Sequence, residues 1–256
     1  MAPSESPLRT PAELTRQHGI TRVLAFGAHP DDIDFGAAGA IAALTAAGVE
    51  VTVCLLTAGD AGGFELGRDS EEMARRREAE QREASALLGV HEVIVLDERD
   101  GFVKPTDELV GKIVRVMRQI RPGVVISPHP ERAWDRLQKS HPDHMACGEA
   151  VVRAAYPYVE NPFAYPELLE EGLEAFKIRH LLLTTAPQQQ VNLRLDVTGY
   201  EAAKMAALRQ HFSQHPDAAR MENFVLDQMR GIHASGGYAE EFHWVTVNAP
   251  DTISGF

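Results

Sequence analysis

Short apolar runs alternate along this chain with longer segments of helical period. Residues 23–27 (VLAFG), 51–57 (VTVCLLT), 92–96 and 124–127 are apolar without strict alternation, which predicts strands buried on both faces. Between and after them, residues 35–47, 71–88, 107–121 and 143–155 read as helices, with Gly89 and Pro122 as stop signals. Strands alternating with helices predict a mostly parallel sheet with helices on both faces, an α/β class. The pattern loosens after residue 156, where YPYVENPFAY has no clear period. Strands at 180–185, 193–197 and 242–247 and helices at 199–211 and 219–232 complete the expectation. The first ten residues read as disordered, and Thr10-Pro11-Ala12-Glu13 as a helix start with Pro at its first position. Residues 1–19 are thus expected to form an N-terminal extension with a short helix, ahead of a single domain at 20–256.

Composition narrows the partners. A chain of 256 residues with 44% hydrophobic and 24% charged positions buries one large core without staples. The formal net charge of −12 argues against nucleic acid, which needs a basic stripe. No apolar run approaches the ~18 residues of a membrane span, so no membrane insertion is expected. The start lacks the basic and apolar regions of a secretory leader. The two cysteines, Cys54 and Cys147, make no disulfide framework. Both observations predict a cytoplasmic protein; a homo-oligomer is compatible with them.

In a parallel sheet, ligands bind beyond the carboxyl ends of strands. Two such loops carry chemistry. The first holds Gly27-Ala28-His29-Pro30-Asp31-Asp32, the second Ser140-His141-Pro142-Asp143-His144. His29 and Asp32 can converge on one point, which leaves Asp31 free for another role. With a histidine from the second loop, two imidazoles and a carboxylate reach one centre. Three protein ligands and one open position is the arrangement of a catalytic zinc; the same donors also suit Fe(II).

AHPDD after the first strand and HPDH before a later helix together resemble the PIG-L/LmbE-like family of zinc N-deacetylases. Arg77-Glu78-Ala79-Glu80 with Leu88-Gly89-Val90, the DERDG of 97–101 and Arg121-Pro122-Gly123-Val124-Val125 extend the resemblance over roughly residues 20–155. The resemblance implies a Rossmann-like fold and hydrolysis of an N-acyl, by default N-acetyl, group on a glucosamine-type conjugate. It implies zinc on His29, Asp32 and His144, and Asp31 as general base. It implies His141 as oxyanion stabiliser or proton donor, and Arg77 and Asp100 as contacts to sugar hydroxyls. A larger glucosamine-linked thiol conjugate is the alternative substrate. The chain departs from many members after the second aspartate, with Ile33 and Asp34 where a glutamate is common. Asp34 is then expected to bond His29 or to cap the following helix.

Several residues carry plainer readings. His129, at the end of the fourth strand, is expected to support a ligand or face the substrate, and is a rival to His144 as ligand. Cys147 reads as buried packing rather than a thiolate ligand, and His215 as a loop residue. The GDAGG of 59–63 fits neither phosphate-loop pattern and reads as a cleft rim. Trp134 and residues 156–165 suit either a cleft wall or a contact between copies. The rival functions are a non-catalytic sugar- or nucleotide-binding module and a two-metal phosphoesterase, which would want more carboxylates.

Overall fold

The computed structural model describes residues 6–233 and 235–249. Its strands are β1 (Leu8–Arg9), β2 (Arg22–Gly27), β3 (Glu50–Leu55), β4 (Glu92–Val95), β5 (Val124–Pro128), β6 (His180–Thr184), β7 (Leu193–Asp196) and β8 (Ala239–Thr246). Its helices are α1 (Pro11–His18), α2 (Asp32–Ala46), α3 (Ser70–Leu87), α4 (Asp107–Ile120), α5 (Pro142–Arg153), α6 (Pro166–Glu170), α7 (Glu201–Leu208) and α8 (Ala218–His233).

The strands form one sheet in the order β1-β7-β8-β6-β5-β2-β3-β4. β2 to β6 run parallel, and β8 lies antiparallel between β6 and β7. Helices cover both faces. One core joins α2, α7 and α8 to the sheet, and the other joins α4 and α5. The helix α4 shows why such segments dock. Thr106 caps its start by accepting from Leu109 N, and Leu109, Val110, Ile113, Val114 and Met117 form one buried face. Burying each such side chain is worth about 1.5–3 kcal/mol, and the left-handed Arg121 before Pro122 ends the helix.

From β2 the chain builds outward through β3 to β4, then returns to place β5 on the other side of β2. The order therefore reverses between β2 and β5, and the loops leaving these two strands diverge around a crevice. Those are the loops bearing the two histidine–aspartate motifs.

The expected elements from residue 22 onward form, with ends shifted by a few residues. Three regions differ. Leu8–Arg9 lies within the stretch expected to be disordered, yet pairs in parallel with Arg194–Leu195, and Ser6 Oγ donates to Val191 O at 2.9 Å. Backbone pairing at a sheet edge leaves no side-chain period to read. Residues 1–5 of that stretch lie outside the described residues. Residues 156–165 pack over α4, where the buried guanidinium of Arg118 donates to the carbonyl oxygens of Tyr158 and Asn161 at 3.3 and 2.9 Å. The predicted helix at 199–211 stops at Leu208, and His211 turns back toward α2.

Candidate metal centre

The turn after β2 is held from several sides. Asp32 starts α2, and its Oδ2 accepts from His29 N at 2.8 Å. Asp31 has φ +89°, a left-handed conformation that costs a non-glycine residue about 1–3 kcal/mol. Gln81 of α3 holds it there by accepting from Asp31 N at 2.9 Å. Arg77, one turn earlier on α3, donates to Pro30 O at 2.7 Å and to Gly59 O at 3.1 Å. Gly59, at φ +72°, must be glycine, because a Cβ there would stand 2.5 Å from Arg77 Nη1.

The second motif arrives on α5. His141 is its N-cap, with Nδ1 accepting from Asp143 N at 3.3 Å, so the neutral ring carries its proton on Nε2. His144, one turn into the helix, places Nε2 2.9 Å from Asp32 Oδ1. Asp32 Oδ2 stands 3.4 Å from His29 Nδ1, so one carboxylate touches both predicted histidine ligands. Ring nitrogens of His29, His141 and His144 lie within 4.8 Å of one another. The predicted ligand trio His29, Asp32 and His144 is therefore brought together, with His141 beside it.

The other edge of His29 is enclosed. Its Nε2 lies 3.1 Å from Asp100 Oδ1 and 3.2 Å from Asp143 Oδ2. Asp100 Oδ2 accepts from Ala61 N at 3.0 Å, and Asp143 Oδ2 from Gly101 N at 2.7 Å. Nε2–H bonded to carboxylates fixes the ring and leaves Nδ1 as the donor atom facing Asp32. His29, Asp100 and Asp143 also form a ligand-capable trio, but these carboxylates already bond backbone donors and His29 itself.

Four aspartates, 31, 32, 100 and 143, cluster about these rings, with the guanidinium of Arg77 beside them. Their negative charge demands a cation. Burial would lower the pKa of His29, but its bonds to Asp100 and Asp32 and their charges raise it to about 11. Burial opposes ionisation of Asp32 as well, yet His144 and His29 hold its carboxyl well below the usual range. His144 is likewise raised, against burial, by Asp32. Asp143 Oδ1 is buried without a hydrogen-bond partner. Imidazole and carboxylate donors in this charge balance fit a divalent metal.

These residues lie at one end of a cavity of about 870 Å³. Asp31, Arg77, Asp100 and His141 also line it. Asp31 Oδ2 meets Arg77 Nη2 and His215 Nε2, each at 3.4 Å. His129 does not line it: Nδ1 accepts from Glu131 N at 3.0 Å, and Nε2 meets His243 Nδ1 at 3.1 Å. That pairing faces it toward β8, away from the expected ligand or substrate role.

The chain's two halves of the motif now have a counterpart among known proteins. The defining pattern of PIG-L, GlcNAc-PI de-N-acetylase, matches residues 24–155. This chain belongs to that family. Diacetylchitobiose deacetylase of Thermococcus kodakarensis is 32% identical over 202 residues, 77% of this chain and 72% of its own. A 1D-myo-inositol 2-acetamido-2-deoxy-α-D-glucopyranoside deacetylase of Rhodococcus erythropolis is 29% identical, covering 80% of this chain and 85% of its own. The structure of N,N'-diacetylchitobiose deacetylase from Pyrococcus horikoshii superposes with TM-score 0.81 at 26% identity, over 91% of this chain and 88% of that one. The likeness in structure thus extends well beyond the matched pattern.

Some residues of this PIG-L site were not expected. Asp143 sits inside the HPDH motif and orients His29, and His215 reaches Asp31 from between α7 and α8. The His215-Pro216-Asp217 repeat of the ligand motif was the available signal. Asp34 bonds neither His29 nor a helix end: its Oδ2 takes Gln81 Nε2 at 2.8 Å and His211 Nε2 at 2.9 Å. Cys147 is fully buried, and burial pushes its thiol pKa well up, as packing requires.

Proposed function

We propose that this protein hydrolyses the N-acetyl amide of a glucosamine-type conjugate, with zinc held by His29, Asp32 and His144. The observation that carries this reading is the Asp32 carboxylate between His29 Nδ1 and His144 Nε2, at the end of a substrate-sized cavity. Two imidazoles and a carboxylate with a further position open to the cavity suit zinc in its catalytic form. Bound there, zinc would supply Lewis acidity and an activated water.

The chain's own groups divide the remaining work. Asp31 lines the cavity from a strained turn that Gln81 and Arg77 hold, which supports assigning its carboxylate to take a proton from the attacking water. In this reading His141 donates a hydrogen bond from Nε2–H to the developing oxyanion beside the same centre, and the proton taken up by Asp31 passes to the leaving nitrogen. One water is consumed, and acetate and a free amine leave. Arg77 and Asp100 line the cavity but spend most of their hydrogen-bonding capacity on Pro30, Gly59, Ala61 and His29. We assign them first to holding the loops, with sugar hydroxyls taking what remains. Among the described residues no helix is long and apolar enough to cross a membrane. Two buried free thiols support a reducing, cytoplasmic setting.

The test is a panel of N-acetylated amino sugars, including N,N'-diacetylchitobiose, incubated with the zinc-loaded protein while new primary amine is measured. Amine release is expected, and His144→Ala is expected to lose zinc and activity together. No amine from any member, with zinc retained by His144→Ala, would overturn the reading.

A further inference from the structure

The turn over residues 211–215, between α7 and α8, reaches the site without lending a ligand to the predicted trio. His215 N donates to His211 O at 3.0 Å, so one closed turn presents both imidazoles to α2. The turn is anchored on α3, where the buried Glu80 accepts from Ser213 N and Oγ at 3.2 and 2.7 Å. Gln214 Oε1 ties it to the loop after β3 by accepting from Gly63 N at 3.2 Å.

The His211 arm is a directional chain of hydrogen bonds. Its Nε2 donates to Asp34 Oδ2 at 2.9 Å, and the same oxygen accepts from Gln81 Nε2 at 2.8 Å. A carboxylate offers only acceptors, so Gln81 turns its amide nitrogen to Asp34 and its oxygen the other way. That oxygen accepts from Asp31 N at 2.9 Å, where the backbone is held left-handed at φ +89°. His211, Asp34 and Gln81 are 1%, 1% and 0% exposed, so bulk solvent competes for none of these bonds. The His215 arm acts on the side chain instead. Its Nε2 lies 3.4 Å from Asp31 Oδ2, the oxygen that Arg77 Nη2 also meets at 3.4 Å. Phe35 steadies the ring edge-on, with centroids 4.9 Å apart. Among the described residues no donor meets Asp31 Oδ1.

We propose that the 211–215 turn positions the base: through Asp34 and Gln81 it fixes the backbone of Asp31, through His215 it occupies Oδ2, and Oδ1 is left to take the proton of the attacking water. The inference rests on Asp31 being the base. His211, Asp34, Gln81 and His215 are positioning residues, and a displacement of about 1 Å at a reacting group costs on the order of 10²-fold in rate.

The test places Gln81→Met and His215→Leu each alone and on an Asp31→Asn background. The zinc-loaded full chain is assayed on the N-acetylated amino sugar that the parent cleaves fastest. His215 is only partly buried, so His215→Leu carries the test even where Gln81→Met fails to fold. Each single variant is expected to lower kcat about 10–100-fold, with KM and zinc affinity in a chelator competition within about twofold of the parent. On the Asp31→Asn background each is expected to cost less than about threefold, because the group it positions is already gone. His215→Gln keeps a donor and is expected to recover most of what His215→Leu loses. Losses of equal size on both backgrounds overturn the proposal, as does a parental kcat in either folded single variant. A fall in zinc affinity that matches the fall in kcat also overturns it, since the turn would then serve the metal. A crystal structure of Gln81→Met decides the backbone arm without turnover: Asp31 is expected to leave the left-handed region, and a φ still near +89° refutes that arm. If Asp31→Asn turns over as the parent does, the base assignment itself fails. If Asp31→Asn is impaired and the other losses add to it in full, only this inference fails.

Discussion

Replacing Glu240 with Gln tests how the floor of the cavity holds α2. Lys204 and Glu240 are 2% and 3% exposed, so bulk solvent reaches neither charge. Glu240 Oε1 accepts from Gly39 N at 2.9 Å and Oε2 from Ala40 N at 2.8 Å, while Lys204 Nζ donates to Phe35 O at 2.6 Å. Phe35 and Gly39 stand four apart on α2, so the ion pair grips both ends of one helical turn. Gly39 allows this approach, since a Cβ there would meet Glu240 Oε1 at 3.1 Å. Glutamine keeps the shape but strands the Lys204 charge. Breaking a buried pair by removing one charge costs about 3–5 kcal/mol. For a domain of this size each kcal/mol shifts Tm by about 2–4 °C, so Glu240→Gln is expected to melt roughly 6–20 °C lower. Thermal unfolding followed by circular dichroism on the metal-loaded protein measures it. The Lys204→Met/Glu240→Gln double variant is expected to recover much of the loss, because the stranded charge is gone. A single variant within about 1 °C of the parent, or a double variant that is worse by the sum of the singles, would refute the account.

Three further outcomes follow from the site and its surroundings. Asp31→Asn tolerates the left-handed backbone and should keep the metal while kcat drops about 10²–10⁴-fold; unchanged turnover removes Asp31 as the base. Asp143→Asn loosens His29 and is expected to weaken metal affinity about 10–100-fold in a chelator competition, and an unaltered affinity would show that Asp100 alone orients the ring. His180, pressed on Trp244 and near His18, is lowered from 6.5 to about 4 by burial and then by the charge of His18. The unfolded chain takes that proton below 6.5 and the folded chain resists it, so stability present above 6.5 is lost as pH falls toward 4. Water reaches part of the ring, so about 1–2 kcal/mol is expected across that window. His180→Gln should flatten the stability–pH curve there, and an unchanged slope would place the effect elsewhere.

The strand–helix alternation up to residue 155 was legible because buried parallel strands and capped helices leave strong local patterns. The convergence of His29, Asp32 and His144 was legible because both motifs lie in the connections that leave two strands flanking one crevice. What escaped notice depends on distance rather than local pattern. His215 sits in a turn between helices and reaches Asp31 only through the packing of α7 on α2. β8 was expected to begin at 242 but starts at Ala239; of the two glutamates ahead of the expected start, one is buried against Lys204 and the other pairs with Lys139. His129 occupied the right place at the end of β5, but its ring turns to His243, a residue 114 positions away.

The position of β8 has a consequence for how the molecule comes into being. It wedges between β6 and β7, and β7 in turn carries β1. A nascent polypeptide emerging from the ribosome therefore holds a bare hydrogen-bonding border along β6, and two strands with nowhere to dock, until residue 246 is out. Nonsense alleles that stop shortly before Ala239 are expected to yield insoluble material rather than a feeble catalyst.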